Sequence, residues 1–204
     1  MAITLLSQYT PQFWTFRIII TLWVIWLLYW LASWTYEYFK GKRTAVVKGK
    51  RSWLQTLLLG IALYTALVPL GSKAFPLNLS FLPQSVILEV IGILITSLGL
   101  SLAIWARSQL STNWSSIPAL RKDQTLTTTG PYSIVRHPIY SGMLFAIIGS
   151  VIAINQYVGF IAIVCITLFA WIRIKKEEKL MTEQFGKSYK NYKKKVKMII
   201  PGIL

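Results

Sequence analysis

One cysteine and one histidine, Cys165 and His137, are all that this chain of 204 residues offers of the two strongest transition-metal ligands. That excludes an internal disulfide and a zinc centre of the usual Cys and His type. Acid is nearly as scarce: six Asp and Glu stand against 22 Lys and Arg, a formal charge of +16. So few carboxylates argue against a calcium or two-metal site built from protein carboxylates alone, and they leave little general-base machinery. No internal repeat or low-complexity tract is visible, which argues against an inverted-repeat transporter.

Apolar residues are abundant. They make up 54% of the chain, nine of them tryptophan, and the mean hydropathy is +0.54, values that belong to a membrane protein. A strongly basic balance suits nucleic acid or anionic lipid, and long uncharged runs decide for lipid, with no nucleic-acid partner expected. A bilayer core needs roughly 20 apolar residues per helix. Residues 18–36, 52–72 and 86–106 supply three such runs, the last interrupted only by Glu89. A fourth uncharged stretch, 139–172, is too long for one helix and is split by Asn155-Gln156, which predicts a tight helical hairpin whose ends extend past snorkelling Arg and Lys. The expectation is an all-α polytopic membrane protein with five transmembrane helices, helices 4 and 5 forming the hairpin. It forms one integral-membrane domain over 1–204, with helices 1–3 in 1–106 and the remaining two in 107–204. The first run is expected to be neither a cleaved signal sequence nor a targeting peptide, being too long for an h-region and lacking an A-x-A site.

Cations are retained on the cytoplasmic side of a membrane. Of the 22, only Arg17 and Lys73 fall on one side of the predicted spans, and all others fall on the opposite side. This predicts an external N-terminus, a cytoplasmic C-terminus and chemistry on the cytoplasmic side. Trp23, Trp26, Trp30 and Trp34 recur at helical spacing, as a lipid-facing or packing surface does, and the first two spans otherwise show nothing distinctive. An intramembrane carboxylate such as Glu89 is a functional candidate by default, although near a helix end it equally suits a hydrogen-bonded structural role. Gly142, Ala146 and Gly149 share one face of helix 4 and predict close helix packing.

Two cytoplasmic segments carry the chemistry. In the first, 107–140, Gly130-Pro131 predicts a turn, and Pro138 fits the first turn of helix 4, where its missing N–H costs nothing. Arg136 and His137 then lie beside the unpaired N–H groups and positive dipole end of that helix. In the second, the tail, Arg173 and Glu177 are four apart and share a helix face. Taken alone they make an exposed ion pair worth ~0.3–0.5 kcal/mol. The polybasic remainder of the tail, with Tyr189 and Tyr192, suits binding to anionic headgroups at the membrane surface.

The run GPYSIVRHPIYSG at 130–142, preceded by TLTTT and followed some 40 residues later by EEKLMTEQFGKSYKNYKKKV, resembles the isoprenylcysteine carboxyl methyltransferase family. That family belongs to a wider group of integral-membrane methyltransferases which includes phospholipid N-methyltransferases and small-thiol methyltransferases. The resemblance covers residues 105–201. It implies S-adenosylmethionine as cofactor, although no Gly-rich loop of the soluble methyltransferase type is present, and a cytoplasm-facing pocket between the motif before helix 4 and the last helix. Carried over by position, the implied cofactor-binding residues are Gln124, Thr125, Leu126, Thr127, Tyr132, His137, Pro138, Tyr140 and Glu177, with Arg173 on the substrate side. A histidine is common in the family where Gln124 stands, and an upstream polar contact falls near Ile117 or Pro118.

Methyl transfer from a sulfonium is an in-line displacement needing alignment and exclusion of water rather than a metal or covalent intermediate. The expected acceptor is lipid-like or lipidated, best a prenylcysteine-type carboxylate or a related anionic oxygen or sulfur nucleophile. Alternatives are a phospholipid or small-thiol methyltransferase, an NADPH-dependent membrane reductase of the sterol-reductase type, and a non-catalytic polybasic membrane protein. The expected location is the plasma membrane of a prokaryote, or the endoplasmic reticulum of a eukaryote.

Overall fold

The computed structural model describes residues 11–39, 46–49, 53–67, 79–111, 119–121 and 124–202. Among the described residues six helices dominate: α1 (Pro11–Phe39), α2 (Trp53–Leu67), α3 (Val86–Leu110), α4 (Pro138–Ile154), α5 (Gly159–Phe185) and α6 (Lys187–Lys195). A 3-10 turn, Gly130–Ser133, precedes α4. The all-α class expected of the sequence holds, with one small addition among the described residues. The short strands β1 (Val46–Gly49) and β2 (Ala119–Arg121) pair antiparallel, Lys48 opposite Leu120.

The Trp14–Tyr36 part of α1 and the whole of α3 are long and apolar enough to cross a bilayer, and α4 is a shorter apolar helix. Their outer faces carry Ile25, Leu27 and Leu28 on α1 and Ile87, Leu94 and Leu98 on α3, all exposed, as lipid-facing side chains are. The expected loop cations Lys40, Lys42, Arg43, Lys50, Arg51, Lys73 and Lys122, and the positions Ile117 and Pro118, lie outside the described residues.

Apolar burial cannot drive helices together inside lipid, so close packing and hydrogen bonds do so. The small face of α4 serves that purpose against α3. A Cβ on Gly99 would lie 2.5 Å from the Ala146 nitrogen and 2.6 Å from the Gly142 oxygen, and one on Gly142 would lie 2.5 Å from the Gly99 oxygen. The two backbones therefore touch, antiparallel, with hydrogen bonds buried beside the contact. Ser150 Oγ donates to the Ala146 carbonyl at 2.8 Å, and Trp23 Nε1 of α1 donates to Ser150 Oγ at 3.1 Å. Glu89 is buried and accepts a hydrogen bond from Thr15 Oγ1 of α1, which ties the first turn of α3 to α1.

Between α4 and α5, Asn155 adopts a left-handed conformation, φ 57°, which asparagine tolerates. Its amide clamps Leu82, accepting from the backbone nitrogen at 2.9 Å and donating to the carbonyl at 2.8 Å. The reversal is thus pinned to the segment that enters α3. α2 lies along α5. This arrangement brings the C-terminal end of α3, the start of α4 and the second half of α5 to one end of the bundle.

Candidate functional site

The site is built where residues 124–137 meet α5 and the tail. Pro131 and Tyr132 are buried in the 3-10 turn, and Pro138 opens α4 with His137 immediately before it. The tail folds back beneath this motif. The Arg136 backbone nitrogen donates to the Lys197 carbonyl at 2.8 Å and that of His137 to Met198 at 3.0 Å, while Val135 and Lys197 form a parallel bridge. Ser141 Oγ donates to the Ile199 carbonyl at 2.6 Å, and the Tyr192 hydroxyl to the Tyr132 carbonyl. The tail is therefore a strap that completes the site as well as a basic surface. Gly186, at φ 51°, breaks α5 from α6 in a conformation disfavoured for other residues. The turn lets Tyr189 and Tyr192 face inward while Lys187, Lys190 and Lys194 remain exposed.

Glu178 locks this strap. Its carboxylate Oε1 accepts from Arg136 Nε at 2.9 Å and lies 2.8 Å from Arg136 Nη2, and Oε2 accepts from Lys193 Nζ at 2.6 Å. His137 Nε2 lies 3.4 Å from Oε1. Burial alone would raise the Glu178 pKa, but His137, Lys193 and Arg136 together hold it far below the usual carboxylate range. Sequence reasoning assigned Glu178 no role. Its neighbour Glu177 points elsewhere, because adjacent helical residues are separated by about 100° around the axis.

Glu177 Oε1 accepts from Arg173 Nε at 2.9 Å and from the Tyr140 hydroxyl at 2.7 Å. Its Oε2 lies 3.8 Å from His137 Nδ1. The side chains of Arg173 and Glu177 are only 14% and 22% exposed, so the exposed ion pair expected of the spacing alone is corrected to a largely buried one.

A cavity of about 530 Å³ opens over this pair, within the size range of small-molecule sites. Gln124, Thr125, Leu126, Thr127, Tyr132, His137, Tyr140, Arg173 and Glu177 all line it. Of the predicted site residues only Pro138 does not, being buried as the first residue of α4. Sequence reasoning missed Met143, Phe169, Met181, Tyr189 and Tyr192, and it missed the contribution of α1. Trp26, Trp30 and Trp34 form an apolar arm of the cavity with Leu31 and Leu59, while Trp23 is buried against α4. Trp23 and Trp26 of the stripe are thus buried against protein, Trp30 is partly buried and Trp34 stays 43% exposed, and the first helix is not a generic span. Arg107, fully buried, holds its guanidinium carbon 5.9 Å from the Trp30 ring centre.

The site's phenols are not bases. Burial pushes Tyr132 well above its ordinary value, with Glu177 and Tyr192 adding to the shift and Arg107 opposing it. Burial likewise raises Tyr189 and pushes Tyr192 up to about 12. These rings stay neutral and serve as donors and walls. The arrangement offers the paired carboxylate of Glu177, the paired guanidiniums of Arg173 and Arg136, aromatic faces and an apolar extension.

The phospholipid methyltransferase family profile matches residues 87–188, half of the chain and the part that holds most of this site. The chain belongs to that family. With its long apolar helices, this membership makes it a membrane protein. It is 32% identical over 169 residues to the protein-S-isoprenylcysteine O-methyltransferase of Schizosaccharomyces pombe, covering 76% of this chain and 69% of that protein. The protein of the same name from Dictyostelium discoideum is 40% identical over 88 residues, 41% of this chain and 35% of its own length. The methanethiol S-methyltransferase of Pseudomonas deceptionensis is 36% identical over 87 residues, 42% of this chain and 32% of its own. The matched stretch therefore spans about a third of two of these relatives and about two thirds of the other.

Proposed function

We propose that this family member is an S-adenosylmethionine-dependent methyltransferase acting on a lipid-like acceptor, best a prenylcysteine-type carboxylate or a related anionic oxygen or sulfur nucleophile. The observation that carries the reading is the two-part cavity, in which the Arg173–Glu177 pair lies beside aromatic walls and opens into the apolar arm of Trp26, Trp30 and Trp34. The donor set fits the cofactor. Glu177 suits an ammonium, through charge-assisted hydrogen bonds of ~1.5–3 kcal/mol, and Leu126, Tyr132 and Tyr140 suit an adenine.

S-adenosylmethionine supplies a methyl group on a sulfonium, which an anionic acceptor takes with no proton to be removed. The protein's task is then to hold, align and keep dry. His137 and Tyr140 position Glu177, Arg173 orients an anion, and the strap closed by Glu178 walls the site from solvent. The apolar arm suits a chain entering from the bilayer.

Five spans with the N-terminus outside and the cavity in the cytoplasm complete the reading. α1 and α3 run parallel, Thr15 bonding Glu89 near their starts and Trp30 lying by Arg107 near their ends, as two helices crossing in the same direction must. The exposed lysines of α6 then face anionic headgroups. A small thiol is the second acceptor class, favoured by the methanethiol S-methyltransferase relatives.

The test compares thermal stabilisation of the detergent-purified protein by S-adenosylmethionine and by NADPH, followed by transfer assays with a prenylcysteine, a phospholipid amine and methanethiol. Stabilisation by the first and transfer to the prenylcysteine support the reading, whereas stabilisation by NADPH alone overturns it.

A further inference from the structure

The two residues assigned to different ligands hold each other. Arg173 Nε donates to Glu177 Oε1 at 2.9 Å, the Tyr140 hydroxyl occupies the same oxygen, and both charged side chains are largely buried. We propose that this ion pair couples the two ligands of the cavity, so that the cofactor and an acceptor bearing a carboxylate each strengthen the other's binding and a neutral acceptor does not. The inference rests on the cofactor reading above.

Charge balance makes the coupling. Before any ligand enters, Arg173 and Glu177 neutralise each other. S-adenosylmethionine carries an ammonium, a sulfonium and a carboxylate, a net single positive charge. When its ammonium shares or takes Glu177, the half-buried site holds one positive charge in excess and Arg173 has a weakened partner. An acceptor alone meets the converse difficulty, because drawing Arg173 away strands the Glu177 carboxylate. Each ligand by itself disturbs a buried pair, which is costly when one member is left uncompensated. Both together leave the pair and its two ligands neutral. Arg136 and Lys193, held on Glu178, do not relieve the excess, since they outnumber the single carboxylate between them. A phospholipid amine supplies no negative charge at the reacting atom and gains nothing from the exchange, so the pair also selects the acceptor class.

The test uses sinefungin, which carries an amine in place of the sulfonium and cannot transfer a methyl group, titrated calorimetrically into the full-length protein in detergent. Titrations are run alone, with N-acetyl-S-farnesylcysteine, and with its methyl ester, which has the same apolar chain and no carboxylate. The acid should tighten sinefungin binding on the order of tenfold, within the ordinary range of coupling between sites, and the ester should leave it unchanged. Arg173→Gln should abolish the effect of the acid while binding sinefungin at least as tightly as the parent, and Arg173→Lys should retain part of the coupling. If sinefungin binds and acid and ester act alike in the parent protein, or if the acid's effect survives in Arg173→Gln, the coupling is overturned while the cofactor reading stands. If neither sinefungin nor S-adenosylmethionine binds, the cofactor reading falls and the coupling falls with it.

Discussion

Arg136 grips a single oxygen of Glu178 with two nitrogens, at 2.9 and 2.8 Å, across 42 residues of sequence. Lys193 fills the other oxygen at 2.6 Å, so one carboxylate joins the motif before α4, the helix α5 and the tail. Glu178→Gln should therefore destabilise the protein by about 3 kcal/mol, the scale of stranding a buried charge. Thermal unfolding in detergent measures it, and a loss below about 0.5 kcal/mol, the size of an exposed pair, would show that the strap is held by other means.

The same carboxylate sets an acid limit. Its folded pKa is depressed below the ordinary 4.5, so its contribution is complete above that value and is lost progressively as the pH falls from there toward the folded value. Melting temperature followed downward from neutral pH should decline below pH 4.5 in the parent protein, and part of that decline should be missing in Glu178→Gln. Parallel curves for the two proteins would remove Glu178 from the account.

Gly99 and Gly142 mark where α3 and α4 touch. Gly99→Ala places a methyl group 2.5 Å from a backbone nitrogen, and the helices must part, at a cost of about 1–3 kcal/mol. A melting temperature equal to that of the parent would show that the helices separate freely.

How far the site could be read from the chain depended on what kind of signal each residue leaves. The 130–142 motif and Glu177 were legible because a turn, a proline at a helix start and an i, i+4 pair are local features. The tryptophan stripe was visible as periodicity, but inside a bilayer a lipid-facing and a protein-facing surface are equally apolar, so its direction was not. Glu178 was hidden for another reason. Its partner Arg136 comes from the motif before α4, 42 residues away, and Lys193 reaches it only through the folded tail, and a lysine-rich tail reads as a solvated surface. Strands of three and four residues are too short for an alternation signal.

Trp34, on α1, lines the same cavity as the Arg173–Glu177 pair. Trp34→Ala should raise KM for a prenylcysteine on the order of tenfold through lost apolar contact and leave KM for methanethiol unchanged. Steady-state kinetics with both acceptors check this, and an equal change for the two would remove the arm from acceptor binding.

Tyr140→Phe removes one of the two donors on Glu177 Oε1 and leaves the ring. Stability in detergent should fall by about 1.5 kcal/mol, the scale of a hydrogen bond to a charged group. An unchanged melting temperature would mean that Arg173 alone fixes the carboxylate.

The most direct measurement of the central claim is calorimetric titration of S-adenosylmethionine into the detergent-purified protein and its Glu177→Gln variant, with no metal added. The account predicts saturable binding to the parent protein and an affinity lower by about one to two powers of ten in the variant, which keeps the shape and loses the charge. Binding of equal strength in both, or no binding in either, would contradict it.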